Sequence, residues 1–147
     1  MENTLFEIIV VEDSPYDAEM IVDALKLKGL AKKVMVLEDG SLVLDYIFSK
    51  GRFKNNESKP NPNLILLDLK MPKVNGIEAL KQLKSNPETQ HIPVVVLTSS
   101  KEEIDIKTAY TFGANSYIVK PVDFEGFEEA VGEVGLYWLL FNELAFN

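Results

Sequence analysis

The sequence contains no cysteine. That excludes disulfide frameworks, thiol nucleophiles and thiolate metal sites, and it suits a reducing cytoplasm. A single histidine, His91, lies in a loop between Pro87 and Pro93 and reads as a surface residue rather than a relay. Positive charge is scarce: 15 basic side chains face 23 acidic ones, a net charge of −8. The imbalance argues against nucleic-acid backbones and anionic membranes as primary partners. No apolar run approaches the roughly 18 residues a membrane span needs. The start, Met1-Glu-Asn-Thr-Leu-Phe-Glu, lacks the basic segment of a signal peptide. A glycine-rich nucleotide loop is missing as well, so ATP is not expected as a directly bound donor. What is present is apolar bulk, 46% of 147 residues. A chain of that size buries roughly two-thirds of its unfolded surface without a staple. The expectation is one soluble, acidic domain over residues 1–147, located in the cytoplasm.

Five short apolar runs recur at even spacing: Ile8–Val11, Val34–Leu37, Leu64–Leu67, Val94–Leu97 and Tyr117–Val119. Each is too short for a helix, and an unbroken apolar run suits a strand buried on both faces, as in a parallel sheet. Helical spacing appears between them. Ala18, Ile21, Val22 and Leu25 share one face, with Ser14 placed to cap, Pro15 at the first position and Asp17 in the first turn. Ile77, Leu80 and Leu83 mark another helix, opened by Gly76, and Asp123 is placed to cap a last one of about 123–145. Residues 101–112 are only weakly amphipathic. The alternation predicts right-handed crossovers and a doubly wound α/β sandwich with five strands and five helices. The polar stretch 50–63 reads as an over-long loop. Its Lys50, Arg52, Lys54 and Lys59 are either solvated or a dock for an acidic partner.

In such sheets ligands gather at the carboxyl ends of the strands. Glu12 and Asp13 end the first run, Asp68 the third, Thr98 the fourth and Lys120 the fifth. Singly, each has an ordinary structural use as a cap, a turn or a solvated charge. Together, three carboxylates at one edge repel and cannot all stay ionised without a cation. Mg²⁺, a hard cation that takes carboxylate oxygens and keeps several waters, resolves the conflict, and Mn²⁺ would serve in its place. Carboxylates form aspartyl-phosphates, and Asp68 is the best nucleophile. A metal on Asp13 and Asp68 would hold one phosphoryl oxygen, Lys120 a second, and the Thr98 hydroxyl or nearby amides a third, an inventory for in-line transfer.

These residues sit in four motifs: Val10-Val11-Glu12-Asp13-Ser14, Asp68-Leu69-Lys70-Met71-Pro72-Lys73-Val74-Asn75-Gly76, Val96-Leu97-Thr98-Ser99-Ser100 and Tyr117-Ile118-Val119-Lys120-Pro121. In them the chain resembles the receiver domain of two-component response regulators, over about residues 6–135. The resemblance implies a flavodoxin-like strand order of 2-1-3-4-5. It implies Asp68 as phosphoacceptor, Glu12 and Asp13 as the acidic metal-holding pair, and the Lys70 backbone carbonyl as a further metal ligand. Thr98 would be the switch hydroxyl, Lys120 the salt-bridging lysine, Tyr117 a rotating aromatic, and Lys120–Pro121 a cis peptide. Glu12 stands where aspartate is commoner, which should shift metal affinity rather than abolish it.

The implied function is a stand-alone phosphorelay regulator rather than an enzyme with a separate substrate. It would take phosphate from a sensor histidine kinase or phosphotransfer protein and signal to a downstream protein by a change of shape. For Tyr117, an aromatic packed permanently inward remains the other reading. A hydrolase with an aspartyl-phosphate intermediate would carry Asp-x-Asp after the first strand. A flavin carrier would have a hydroxyl- and glycine-rich loop there, and an unphosphorylated interaction module would usually have lost Asp68 or Lys120.

The C-terminal stretch is apolar on two sides. Phe127, Val131, Val134, Trp138 and Phe141 form one stripe, and Tyr137, Leu140, Phe141 and Leu144 a second. A helix of that kind must bury both faces. Either Tyr137, Trp138, Leu140, Phe141 and Leu144 form a protein interface such as a homodimer contact, or the tail folds back on its own domain. Gly132 and Gly135 either break this helix or let another approach closely. The ending Tyr137-Trp138-Leu139 with Asn142-Glu143 resembles single-domain regulators paired with phytochrome-type kinases.

Overall fold

A computed structural model of the chain describes residues 7–30, 33–55, 61–71 and 73–144. Five strands, β1 (Ile8–Val11), β2 (Val34–Leu37), β3 (Leu64–Leu67), β4 (Val94–Thr98) and β5 (Ser116–Val119), form one parallel sheet in the order β2-β1-β3-β4-β5. The helices between and after them are α1 (Pro15–Leu27), α2 (Gly40–Ile47), α3 (Gly76–Ser85), α4 (Glu103–Thr111) and α5 (Phe124–Leu136). This is the flavodoxin-like doubly wound sandwich expected from the alternation and the resemblance. Residues 56–60 of the polar loop, Pro72 of the Asp68 motif and the end of the expected last helix at 145 lie outside the described residues.

The unbroken apolar runs are explained by layers on both sides of the sheet. Ile9, Val11, Ile65, Leu67, Val94 and Val96 point to the layer holding Val43, Leu80 and Leu83. Their neighbours Ile8, Val10, Leu64, Leu66, Val95 and Leu97 point the other way, to Ile21, Leu25, Phe127 and Val131. The period of two thus sorts one strand into two cores.

Local chemistry sets the helix starts. The Ser14 Oγ accepts from the Asp17 N–H at 3.3 Å, with Pro15 opening α1. Asn75 caps α3 through Glu78 N–H at 3.0 Å, and Asp123 caps α5 through Gly126 N–H at 2.8 Å. α4 has no side-chain cap of this kind and buries only Ala109, which matches its weak periodicity. α5 runs unbroken through Gly132 and Gly135. A Cβ on Gly135 would sit 2.8 Å from Leu25 and 2.9 Å from Leu30, so the glycine admits α1 at close range.

Past Leu136 the chain widens into a π turn, Tyr137–Phe141, closed by Asn142 N–H donating to the Tyr137 carbonyl at 2.8 Å. The wider turn rotates Phe141 off the line of Phe127, Val131, Val134 and Trp138, leaving it 74% exposed. Leu139 packs on the core instead. Trp138, expected on the first stripe and also as an interface candidate, packs against the same core and is not part of the exposed patch. Tyr137 and Leu140 do remain exposed, at 52% and 64%, and Leu144 is half-buried.

Candidate functional site

Strand register carries the acidic residues to one edge. Val11 lies opposite Leu67 across β1 and β3, so Glu12 and Asp68 leave the sheet side by side. The ladder continues one step further: Glu12 N–H donates to Leu37 at 2.9 Å and Asp68 N–H to Val11 at 3.0 Å. On the other flank, Lys120 N–H donates to the Thr98 carbonyl at 2.7 Å, which draws the end of β5 to the end of β4.

The loop after β3 closes tightly on the Asp68 backbone. Gly76 N–H donates to the Leu69 carbonyl at 2.9 Å. A Cβ on Gly76 would lie 2.2 Å from the Asp68 carbonyl oxygen, so no larger residue fits this turn. The Asp68 carboxylate is oriented by Leu69 N–H, which donates to Oδ1 at 2.8 Å, and Oδ2 faces the Lys120 ammonium at 3.6 Å.

One oxygen from each of Glu12, Asp13 and Asp68 falls within 4.8 Å of the others. Glu12 is 3% exposed and Asp68 9%, whereas Asp13 is exposed. Three hard oxygen donors gathered at that spacing suit a divalent cation such as Mg²⁺. Lys70 borders the same open cleft, of about 460 Å³, as Asp13.

Lys120 is the hub of the cluster. Its Nζ lies 2.6 Å from the Glu12 Oε1 and 2.7 Å from the Asp17 Oδ2. Burial alone would lower the Lys120 pKa, but the hydrogen bonds to Asp17 and Glu12 prevail and hold it above the usual lysine value. Burial pushes Glu12 up to about 7, even though Lys120 and Ser14 N–H both donate to it.

Thr98 is 1% exposed at the end of β4, with its Oγ1 at 3.5 Å from Ser100 N–H. The Tyr117 ring packs partly into the core, and its hydroxyl donates to the Ser100 carbonyl at 2.9 Å. The Ser100 Oγ in turn donates to Asp105 in the first turn of α4 at 2.5 Å. Tyr117 therefore takes the inward position in this structure.

Two expectations need correction. The Lys120–Pro121 peptide is trans, as is every peptide among the described residues. Trans is the favoured form for X-Pro, and the Lys120 side chain reaches its carboxylates from it. Asp17, read from sequence only as a first-turn helix acid, is a member of the charged cluster. His91 is exposed, away from this edge.

The sequence profile of the response regulator receiver domain matches residues 8–132. The chain belongs to that family. As a receiver it is 39% identical over 137 residues to a probable methanogenesis regulatory protein, FilR2, of Methanothrix harundinacea (strain 6Ac), covering 93% of this chain and 86% of that one. It is 36% identical over 132 residues to the response regulator Rcp1 of Synechocystis sp., covering 90% of this chain and 88% of the relative. The Mn²⁺-bound structure of Rcp1 superimposes with a TM-score of 0.86 at 34% identity, over 95% of this chain and 98% of that one. The phosphorylated cyanobacterial phytochrome response regulator RcpA gives 0.88 at 34% identity, over 97% of this receiver and 99% of RcpA. Receivers are two-component signalling proteins that use Mg²⁺ and take phosphate from a histidine-kinase donor, and the Glu12, Asp13 and Asp68 cluster could hold such a metal.

Proposed function

We propose that the chain acts in the cytoplasm as a single receiver unit whose phosphoacceptor is Asp68. The observation that carries this is the convergence of carboxylate oxygens of Glu12, Asp13 and Asp68 within 4.8 Å, with the Lys120 ammonium 3.6 Å from Asp68. The donor is a phosphohistidine on a sensor kinase or phosphotransfer protein. An Asp68 carboxylate oxygen attacks phosphorus in line, the P–N bond breaks, and the imidazole leaves with the bonding electron pair. Glu12, Asp13, Asp68 and the Lys70 carbonyl would hold Mg²⁺, or Mn²⁺, which would offset charge on a phosphoryl oxygen. Lys120 and the Thr98 hydroxyl donate to the others. Beyond its own phosphorylation and slow self-dephosphorylation the protein turns over no substrate.

The signal follows from charge. Phosphorylation brings nearly two negative charges beside Thr98 and Lys120. If Thr98 turns to the phosphoryl group, Ser100 N–H loses its acceptor and the β4–α4 loop can release the Tyr117 hydroxyl it now holds. The face of α4, β5 and α5 then changes shape for a downstream protein. Tyr16, Val122 and Phe124 line one groove with Lys120 and are exposed, Val122 fully, which supports docking of the donor there. The apolar turn with Tyr137, Leu140 and Phe141 supports a contact with a second copy of the chain.

Labelling with acetyl phosphate in Mg²⁺ tests the acceptor. Wild type should incorporate phosphate, chelation of Mg²⁺ should stop incorporation, and Asp68→Asn should abolish it. Labelling that persists unchanged in Asp68→Asn refutes the assignment.

A further inference from the structure

Asp17 is bound into the charged cluster by geometry that its own helix fixes. Its backbone N–H is held by the Ser14 cap at 3.3 Å, so the residue is anchored at the start of α1. Its Oδ2 accepts from the Lys120 Nζ at 2.7 Å, well inside the 3.6 Å that separates the same Nζ from Asp68. An ammonium has three N–H donors. Two are engaged by Glu12 and Asp17, and the hold on Asp68 is the longest of the three contacts. Glu12 and Asp17 are not equivalent. Glu12 belongs to the group of acids whose oxygens lie within 4.8 Å, where a divalent cation would offset its charge. Asp17 is outside that group, and among the described residues Lys120 is the cation it pairs with.

We propose that Asp17 is a resting-state counter-ion that competes with the incoming phosphoryl group for the Lys120 ammonium, and so sets how strongly the site favours the unmodified form. The inference rests on the reading of Asp68 as phosphoacceptor and Lys120 as phosphoryl ligand. When an oxyanion is added to Asp68, it draws the Lys120 ammonium toward itself across the present 3.6 Å gap and away from the 2.7 Å contact with Asp17. The Asp17 charge then stands near the new anion with a weakened partner. Water can reach it, since the Asp17 side chain is 30% exposed against 2% for Glu12, so release is feasible and its cost is moderate. Asp17 is a positioning residue. It acts on the phosphoryl group through Lys120.

The experiment titrates beryllofluoride, an anionic mimic of the phosphoryl group, into wild type, Asp17→Asn, Asp17→Glu and Asp68→Asn at saturating Mg²⁺, read by fluorine NMR. Mg²⁺ affinity is measured separately by calorimetry. Asp17→Asn should bind the mimic about tenfold more tightly than wild type. Its Mg²⁺ affinity should fall, because removing a negative charge favours an anion and disfavours a cation. A defect in folding would weaken both. Asp17→Glu, which keeps the charge, should return the mimic affinity to within about threefold of wild type. If wild type binds, Asp68→Asn does not, and Asp17→Asn binds no more tightly than wild type, the counter-ion role is overturned and the site assignment stands. If wild type does not bind, or Asp68→Asn binds as wild type does, the site assignment fails and the Asp17 role with it.

Discussion

At Glu12, burial and chemistry pull in opposite directions. A carboxyl with 3% exposure resists ionising, and burial raises it to about 7 despite the Lys120 partner. A metal ion requires the ionised form. Mg²⁺ affinity should therefore rise with pH through about 7, releasing a proton from Glu12, and level off above it. Folding has the opposite sign. The unfolded chain ionises Glu12 near 4.5 and the folded one near 7, so the folded state binds more protons between those values. Metal-free stability should fall as pH rises across that window, and Mg²⁺ should restore it. Calorimetric Mg²⁺ titrations between about pH 6 and 8 check the first point, and Glu12→Gln should both weaken binding and flatten the pH dependence. Glu12, Asp13, Asp68, Thr98 and Lys120 were legible as candidates because each lies within two residues of the end of an apolar run, and parallel strands deliver such residues to one edge. Asp17 was not legible as a cluster member. In the sequence it is a first-turn acid, and only the tertiary fold brings Lys120, just past β5, within 2.7 Å of it. The trans form of Lys120–Pro121 was hidden for a similar reason, since the dipeptide is compatible with either isomer and tertiary context decides.

At the scale of elements, the two glycines of α5 make a paired test. A Cβ on Gly132 would meet the Lys28 side chain at 3.0 Å, and that chain is flexible and exposed enough to move aside. Gly132→Ala should then gain most of the helix-propensity difference, about 0.5–1 kcal/mol. A Cβ on Gly135 would press on Leu25, which is fully buried, at 2.8 Å and on Leu30 at 2.9 Å. Gly135→Ala should be destabilising by about 1–2 kcal/mol as overpacking outweighs propensity. Urea denaturation of the two variants should show opposite signs. The start of α5 could be read from Asp123, but its end could not. Leu136–Phe141 is apolar on every side and has neither proline nor glycine to stop a helix, so nothing local signals the π turn. The loop after α2 hid another element. A 3₁₀ turn, Gly51–Phe53, buries Phe53 edge-on against Tyr46 with ring centroids 5.1 Å apart, and one aromatic among polar neighbours gives no period to detect. Lys84 was missed too. Its ammonium lies within 2.9 Å of the Gln90 and Ile92 carbonyls and the Asn115 side chain, and burial lowers it to about 8.

Across the whole molecule, a net charge of −8 makes two copies repel at long range, so any self-association must come from local apolar burial, and salt should strengthen it. The inner side of α5 is filled by its own core through Phe127, Val131, Val134 and Trp138, so those residues have nothing to offer a partner. Tyr137, Leu140 and Phe141 face outward within one turn, at 52%, 64% and 74% exposure. The patch carries no formal charge, and a twofold axis would set each copy of it against its equivalent, which is self-complementary by construction. If that contact forms, wild type should sediment as a dimer at micromolar concentration, with the dimer fraction rising in salt. Leu140→Ser combined with Phe141→Ser should give monomers whose urea midpoint matches that of wild type diluted until it is monomeric, because these side chains contribute little to the fold of one copy. Trp138→Ala is the wrong probe, since it opens a cavity in the core beneath α5 and lowers stability whether or not a dimer exists. A wild type that sediments as a monomer at every salt concentration removes the second copy as partner. The outward turn would then be left to the downstream protein.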